Sequence, residues 1–545
     1  MAGMIGADGR MALTEQQAFR RAWLPAGELA PIGVSLLATL FSTFSIIGIS
    51  FVLLDLREQI GITTMQVNLL RCTAISSGLL IVFCAGALCR RFGAKRILSA
   101  SLALWVVGSL LLAGHAGLLA LAAGLVLMGC ADAGVRVSSF AMLCGGAADA
   151  QQISMLVSAN TMANSLAVVA SPIVNSWILV GVNYGATVVG LLWGLMFSLV
   201  LALLLLLVRT DQPAAAGQPS DTYTTNWTFL LAAGACASLI STLPIIRVFQ
   251  SVWVPPAMAL AAGFALIATT AWRKDRAIGE GFLFLRNRRL LLLLLALATL
   301  FLIDYRYCAE RFLAIRYQLD LASISAWMTP ASLAAILASC MCAIAIPKLG
   351  LARTIGLGLL GCLILPITFV MAPSQVPILV IASVAASFAF FLTFVRVGLT
   401  SMVTAMTEKP LMANLEAVRH VLSSTAWSLG SALAVEVLIS TFRGSLEQQL
   451  RALPLQDGVI KTIVGLVASG HGRQVLETHY GVSKQLLQTF IGRSATPTIQ
   501  AIMSVLHWMG WLIVLMLALV ASLIALSRPV GVQMLRNKVH SRQLR

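Results

Sequence analysis

Ionisable side chains inside long apolar runs are the residues most able to do chemistry in this chain. Asp132 and Arg136 stand four apart, on one face of a helix. Asp304, Arg306, Glu310 and Arg311 fall close together in a later run. At about 100° per residue, Asp304 and Arg311 share one face, and Arg306 and Glu310 share nearly the opposite one. Arg396 is placed in another run, and Glu416, Arg419 and His420 have i, i+3, i+4 spacing. Arg71 and Glu436 sit nearer the ends of their runs. Charges in an apolar environment cost several kcal/mol unless they are paired or hydrated. Two readings follow. The charges are internal salt bridges between helices, or some of them line a wet cavity and carry protons or substrate. His420 has the side-chain type that titrates near neutrality. Asn160, Asn164, Ser171 and Asn175 form a stripe along one helix face, suited either to interhelical hydrogen bonds or to a cavity wall.

The elements that must hold these residues are membrane helices. Of the 545 residues, 59% are hydrophobic and 10% are charged, and the mean hydropathy is +0.92. Soluble domains carry about 25% charged residues. The formal net charge of +17 would suggest nucleic acid in a soluble protein, but here the basic residues sit in short loops, so no nucleic-acid partner is expected. The ten cysteines lie in or beside apolar runs without metal-ligand spacing. They read as core residues, and no cofactor is expected. Runs long enough to span occur near 32–54, 68–89, 97–113, 117–142, 153–180, 184–208, 227–246, 252–272, 289–316, 325–346, 354–371, 376–400, 412–440 and 499–526. That makes an all-α membrane protein of fourteen spans.

Lys and Arg set the orientation. With the N-terminus inside, clusters such as Arg90, Arg91, Lys95 and Arg96, then Arg273, Lys274 and Arg276, then Arg286, Arg288 and Arg289 all fall on the cytoplasmic side. An even span count leaves both basic termini there. The expected location is the inner (cytoplasmic) membrane. Residues 441–498 form the one long loop, outside, and read as a small amphipathic cap.

The loop after the second span runs Gly86-Ala-Leu-Cys-Arg-Arg-Phe-Gly-Ala-Lys-Arg-Ile-Leu98. It resembles the signature loop of the major facilitator superfamily at Gly86, Leu88, Arg91, Gly93, Lys95 and Leu98, with Arg96 continuing the basic run. The acidic position is Arg90. Its glycines suggest close helix approach, and its cations hold it inside. A second copy reads Pro347-Lys-Leu-Gly-Leu-Ala-Arg353, with Gly350 in place of Gly93. The resemblance implies a bundle of two six-helix halves plus two inserted helices. The divisions are a tail at 1–31, a first half at 32–208, a linker with two inserted helices at 209–288, a second half at 289–526 and a basic tail at 527–545.

Fourteen spans with a long outer loop before the last resemble the drug:proton antiporter branch. Arg419 to Gly430 is similar to one of its motifs, and Pro172 stands where its fifth-span motif has proline. The branch's first-span carboxylate is missing from Phe44 to Ser50, and Leu125 replaces a fourth-span arginine. The resemblance implies a secondary transporter and not an enzyme: proton-coupled export of a small organic compound. The alternatives are transport of an anionic or zwitterionic metabolite, or a scaffold or sensor that moves nothing. The expected partners are a small-molecule substrate, membrane lipid and the proton; a periplasmic adaptor is left open. Asp304 is expected to face the cavity as a proton carrier. Topology has a direct test: a cysteine at Ser445 or Gln456 should be labelled by an impermeant reagent from outside the cell, and labelling only from the cytoplasmic side would refute fourteen spans.

Overall fold

The computed structural model describes residues 29–60, 64–114, 117–147, 149–182, 185–208, 226–249, 253–274, 281–303, 321–371, 377–451, 507–508 and 510–527. Asp304, Arg306, Glu310 and Arg311 lie outside these residues, as does most of the expected outer loop.

Every described element is helical. The helices are α1 (Leu29–Ile60), α2 (Thr64–Phe92), α3 (Ala94–Ala113), α4 (Leu118–Gly145), α5 (Ala150–Gly181), α6 (Gly185–Leu207), α7 (Trp227–Phe249), α8 (Val254–Lys274), α9 (Arg288–Leu302), α10 (Leu321–Leu349), α11 (Leu351–Cys362), α12 (Ile364–Met371), α13 (Ile378–Ala405) and α14 (Met412–Leu450). A last helix, α15 (Gly510–Leu526), follows. Among the described residues, ten segments are long and apolar enough to span a membrane, with Trp227–Leu243 and Gly510–Leu526 as shorter apolar helices. Helices α11 and α12 together make one span, Leu351–Met371. Its break has a cause: Pro366 has no N–H and its ring crowds the carbonyl of Cys362, so Leu363 turns to bond Leu360 O instead.

Helices α1 to α6 pack among themselves, and α10, α11 and α13 repeat the packing of α2, α3 and α4. The copies are matched in length: α2 and α10 have 29 residues each, and α4 and α13 have 28 each. The turns after α2 and α10 match too. Gly93 has φ +88° and Gly350 has φ +82°, and each N–H bonds the carbonyl four residues back, Cys89 and Ile346. Between the two groups, the inserted pair α7 and α8 packs together, with α7 lying on α2 and α14.

The two groups meet along two seams, α2 with α14 and α5 with α10. Tight packing concentrates at the end of the bundle bearing the two glycine turns, the turn end. There Val82, Ala85 and Cys89 of α2 pack with Ala133 and Val137 of α4 and with Ala413 and Ala417 of α14. On the other seam, Phe140, Cys144 and Val157 pack with Ala338, Cys342, Ile346, Phe394 and Val397. The opposite, far end carries exposed tryptophans, Trp177, Trp253, Trp508 and Trp511, as expected of an interfacial belt. Helix α14 runs ten residues past the predicted span end at 440, so the start of the expected loop is helix.

The glycines of the signature loop divide their work differently from the sequence expectation. A Cβ on Gly93 would meet nothing within 4 Å, whereas one on Gly86 would lie 2.8 Å from Asn414 Oδ1. Gly86 is therefore the close-approach glycine, and Gly93 is required by its positive φ. Non-glycine residues in that region cost about 1–3 kcal/mol. Gly93→Ala and Gly350→Ala should each lower the yield of folded protein and its melting temperature in detergent. Unchanged melting in both would contradict this account of the turns.

Candidate functional site

Five of the charged or titratable residues singled out in the sequence, Asp132, Arg136, Glu416, Arg419 and His420, converge where the middle of α4 meets the first turns of α14. Asp132 is buried, and Arg136 Nε donates to its two oxygens at 2.8 and 3.0 Å. Ser42 Oγ of α1 donates to the same carboxylate. One turn towards the start of α1, Thr39 Oγ1 and Ser139 Oγ are 3.1 Å apart. On α14, Arg419 donates to Glu416 at 2.7 Å, and its guanidinium carbon stands 4.6 Å over the Phe140 ring of α4. The two sets interact electrostatically across the seam: His420 with Asp132 and Arg136, and Glu416 with Arg136.

Both ion pairs are thus made within a helix, Asp132–Arg136 at i,i+4 and Glu416–Arg419 at i,i+3. Within this described cluster, the imidazole, the longer-range charge interactions and the cation–π stacking are what cross between halves. Each helix keeps its own neutral pair, so the seam can part without stranding a charge. From the sequence, salt bridges between helices are expected; among the described residues these two pairs lie within single helices.

The α5 stripe is mostly used in hydrogen bonds. Thr43 Oγ1 of α1 donates to Asn164 Oδ1 at 2.6 Å, and Ser171 Oγ donates to Phe44 O at 2.6 Å. Asn164 Nδ2 reaches Asn160 O, and Asn175 Nδ2 reaches Ser171. Sequence reasoning missed the matching α1 face. Ser35, Thr39, Ser42 and Thr43 are buried there, and their i, i+4, i+7, i+8 spacing was available as a signal. In place of the missing carboxylate, α1 supplies hydroxyls, one of them to the α4 carboxylate.

Arg396 occupies α13 as Arg136 occupies α4, eighteen residues after the first residue of a 28-residue helix in each case. Leu392 stands where Asp132 does. The Arg396 guanidinium carbon lies 4.6 Å over the Phe301 ring of α9. Arg90, at the acidic position of the signature loop, packs against Gly281, whose carbonyl accepts from Asn414 Nδ2 at 2.6 Å.

The fold and these signature turns define a transport protein of the membrane. The Major Facilitator Superfamily profile matches residues 35–435, and the chain belongs to that family: it is a multi-pass membrane transporter, not an enzyme. No curated protein matches it. Among solved structures, the human organic anion transporter MFSD10 (TETRAN) is 13% identical with TM-score 0.56, covering 91% of this chain and all of the other. A bacterial homologue of the iron transporter ferroportin, in an outward-facing state, is 10% identical with TM-score 0.55, covering 92% and 100%. The transporter FucP, in the outward conformation, is 12% identical with TM-score 0.52, covering 92% and 100%. At these identities the likeness shows the fold.

Removing one member of a buried pair leaves an uncompensated charge, at a cost of about 3–5 kcal/mol. Arg136→Gln should therefore lower the melting temperature markedly, and Asp132→Asn/Arg136→Gln should recover most of the loss. A double variant no better than the single one would mean that the pair is not the relevant unit.

Proposed function

We propose that the chain is a proton-coupled secondary transporter that exports a small organic compound by alternating access, as the drug:proton antiporter branch does. It works in the inner membrane with the turn end and both termini in the cytoplasm. The exposed charges at the turn end support that orientation: Arg91, Arg96, Arg286, Arg288, Lys348, Arg353 and Lys409, against Asp149 and Glu408 among the described residues.

The observation that carries the reading is the charge network at the α4–α14 seam. With both ion pairs formed and the imidazole neutral, Asp132, Arg136, Glu416, Arg419 and His420 sum to zero. One added proton makes the network +1, a charge that a closed apolar seam holds only at a cost of several kcal/mol. Proton binding and closure of the turn end then oppose each other, and by linkage each shifts the other's equilibrium. A transporter needs that reciprocity to convert a proton gradient into movement of its halves. Ser42 ties the α1 wall of the first half to the titrating carboxylate, so occupancy of that wall can be felt at Asp132.

Reconstituted protein tests this, with pyranine reporting proton flux and ethidium and fluorescein as cationic and anionic cargo. The expected result is movement of one dye accompanied by a proton signal. Asp132→Asn should abolish uphill movement under a pH gradient while dye exchange persists. Dye movement without proton flux in the unmodified protein would refute coupling. Uphill transport retained by Asp132→Asn would move the proton site elsewhere.

A further inference from the structure

Arg71 is used by none of the interactions above. It is the third residue of the span Leu69–Phe92, near the far end of α2, and among the side chains the structure describes no carboxylate pairs with it. Its direction follows from its neighbours on the helix. At about 100° per residue, Cys89 points the same way and Val82 points within about 20°. Both are buried in the seam between α4 and α14. On the other side of α2, Leu80 is turned about 180° away, and its carbonyl backs onto Gly234 of α7. Leu69, about 160° away, is 49% exposed. Arg71 therefore points inward between the halves and away from the periphery.

Along this one line of α2, exposure changes sharply. Cys89 is 4% and Val82 0% exposed, while Arg71 is exposed. About 16 Å separates Val82 from Arg71 along the axis. The seam that is shut at the turn end has opened by the level of Arg71. An inward-facing guanidinium that is exposed there opens onto the space between the halves, close to the water interface at the far end of the span.

We propose that Arg71 is the anion-recognition residue of a vestibule open at the far end, and that the transported compound is an organic anion such as a carboxylate or sulfonate. This rests on the transport reading and names its substrate class. Guanidinium suits such groups because its planar fork donates two parallel hydrogen bonds to two oxygens. The other seam arginines of α4 and α14 are each matched by a carboxylate one turn away. Arg71 adds a positive charge about 15 Å farther out than Asp132, judged from the approach of Gly78 to Gly129 that fixes the level of α4 against α2. Among the described side chains, Arg71 therefore sets a positive charge above a neutral floor, an arrangement that attracts anions.

The test uses the full-length protein in intact cells, with Ile75→Cys placed one turn below Arg71 on the same face. Two impermeant thiol reagents of similar size serve as probes: the sulfonate MTSES and the quaternary ammonium MTSET. Mass spectrometry of the peptide carrying position 75 reads the modification, so the native cysteines do not interfere. MTSES should react about tenfold faster relative to MTSET than it does in the Arg71→Gln background, and Arg71→Lys should keep most of that preference. Absence of reaction with both reagents would show that Arg71 does not face water between the halves. A rate ratio unchanged by Arg71→Gln would show a snorkelling charge with no hold on anions. Neither measurement requires transport, so either failure leaves the coupling proposal standing. In reconstituted protein, Arg71→Gln should also slow fluorescein movement severalfold, and selective loss of ethidium movement instead would overturn the substrate class.

Discussion

A charge buried in a membrane must keep a partner, and this one constraint organises the molecule. The two halves meet where two ion pairs and an imidazole are enclosed by apolar side chains. If the ion pairs ran from half to half, each opening of the seam would separate them. Here Asp132 holds Arg136 on α4 and Glu416 holds Arg419 on α14. The halves carry neutral units past each other. What gives way when they separate is weaker: a ring over a guanidinium, and interactions through His420. Buried pairs contribute little net stability because desolvation offsets attraction. Their value lies in permitting charge at a surface that must repeatedly open.

Around that surface, backbone approach sets the geometry. Gly86 lets α2 come against Asn414, and Asn414 in turn bonds the carbonyl of Gly281. The segment after the inserted pair is thereby joined to both sides of the seam. Phe282 extends this joint, its ring lying 6.1 Å from Phe83 of α2 and 5.7 Å from Phe229 of α7. The inserted helices are thus packed into the closed end, where any motion of α14 against α2 must pass them.

The fold was largely legible in the sequence because lipid imposes a blunt rule: about twenty apolar residues per crossing, with cations on one side. The equivalence of Gly93 and Gly350 was legible because both turns need the same backbone. The close-packing role expected of Gly93 belongs to Gly86, since spacing alone does not separate a conformational glycine from one that a neighbour presses on. The site was legible in part. The intrahelical pairs followed from spacing, yet their meeting across α4 and α14 did not, being a matter of tertiary packing. The buried hydroxyls of α1 did not stand out because serine and threonine are common in membrane helices and carry no charge. Asp304, Arg306, Glu310 and Arg311 fall outside the described residues.

Helix α14 has 39 residues, about 58 Å of continuous rod where a bilayer core is about 30 Å thick. Glu416 and Arg419 lie near one tip, and some 51 Å of helix stretches from Glu416 to Leu450. A rigid rod of that proportion is a lever. A tilt of about 10° at the charged end sweeps Leu450 through roughly 9 Å, by the same rise per residue. A rotation that barely moves Glu416 and Arg419 therefore carries the far tip of α14 through a distance larger than a side chain.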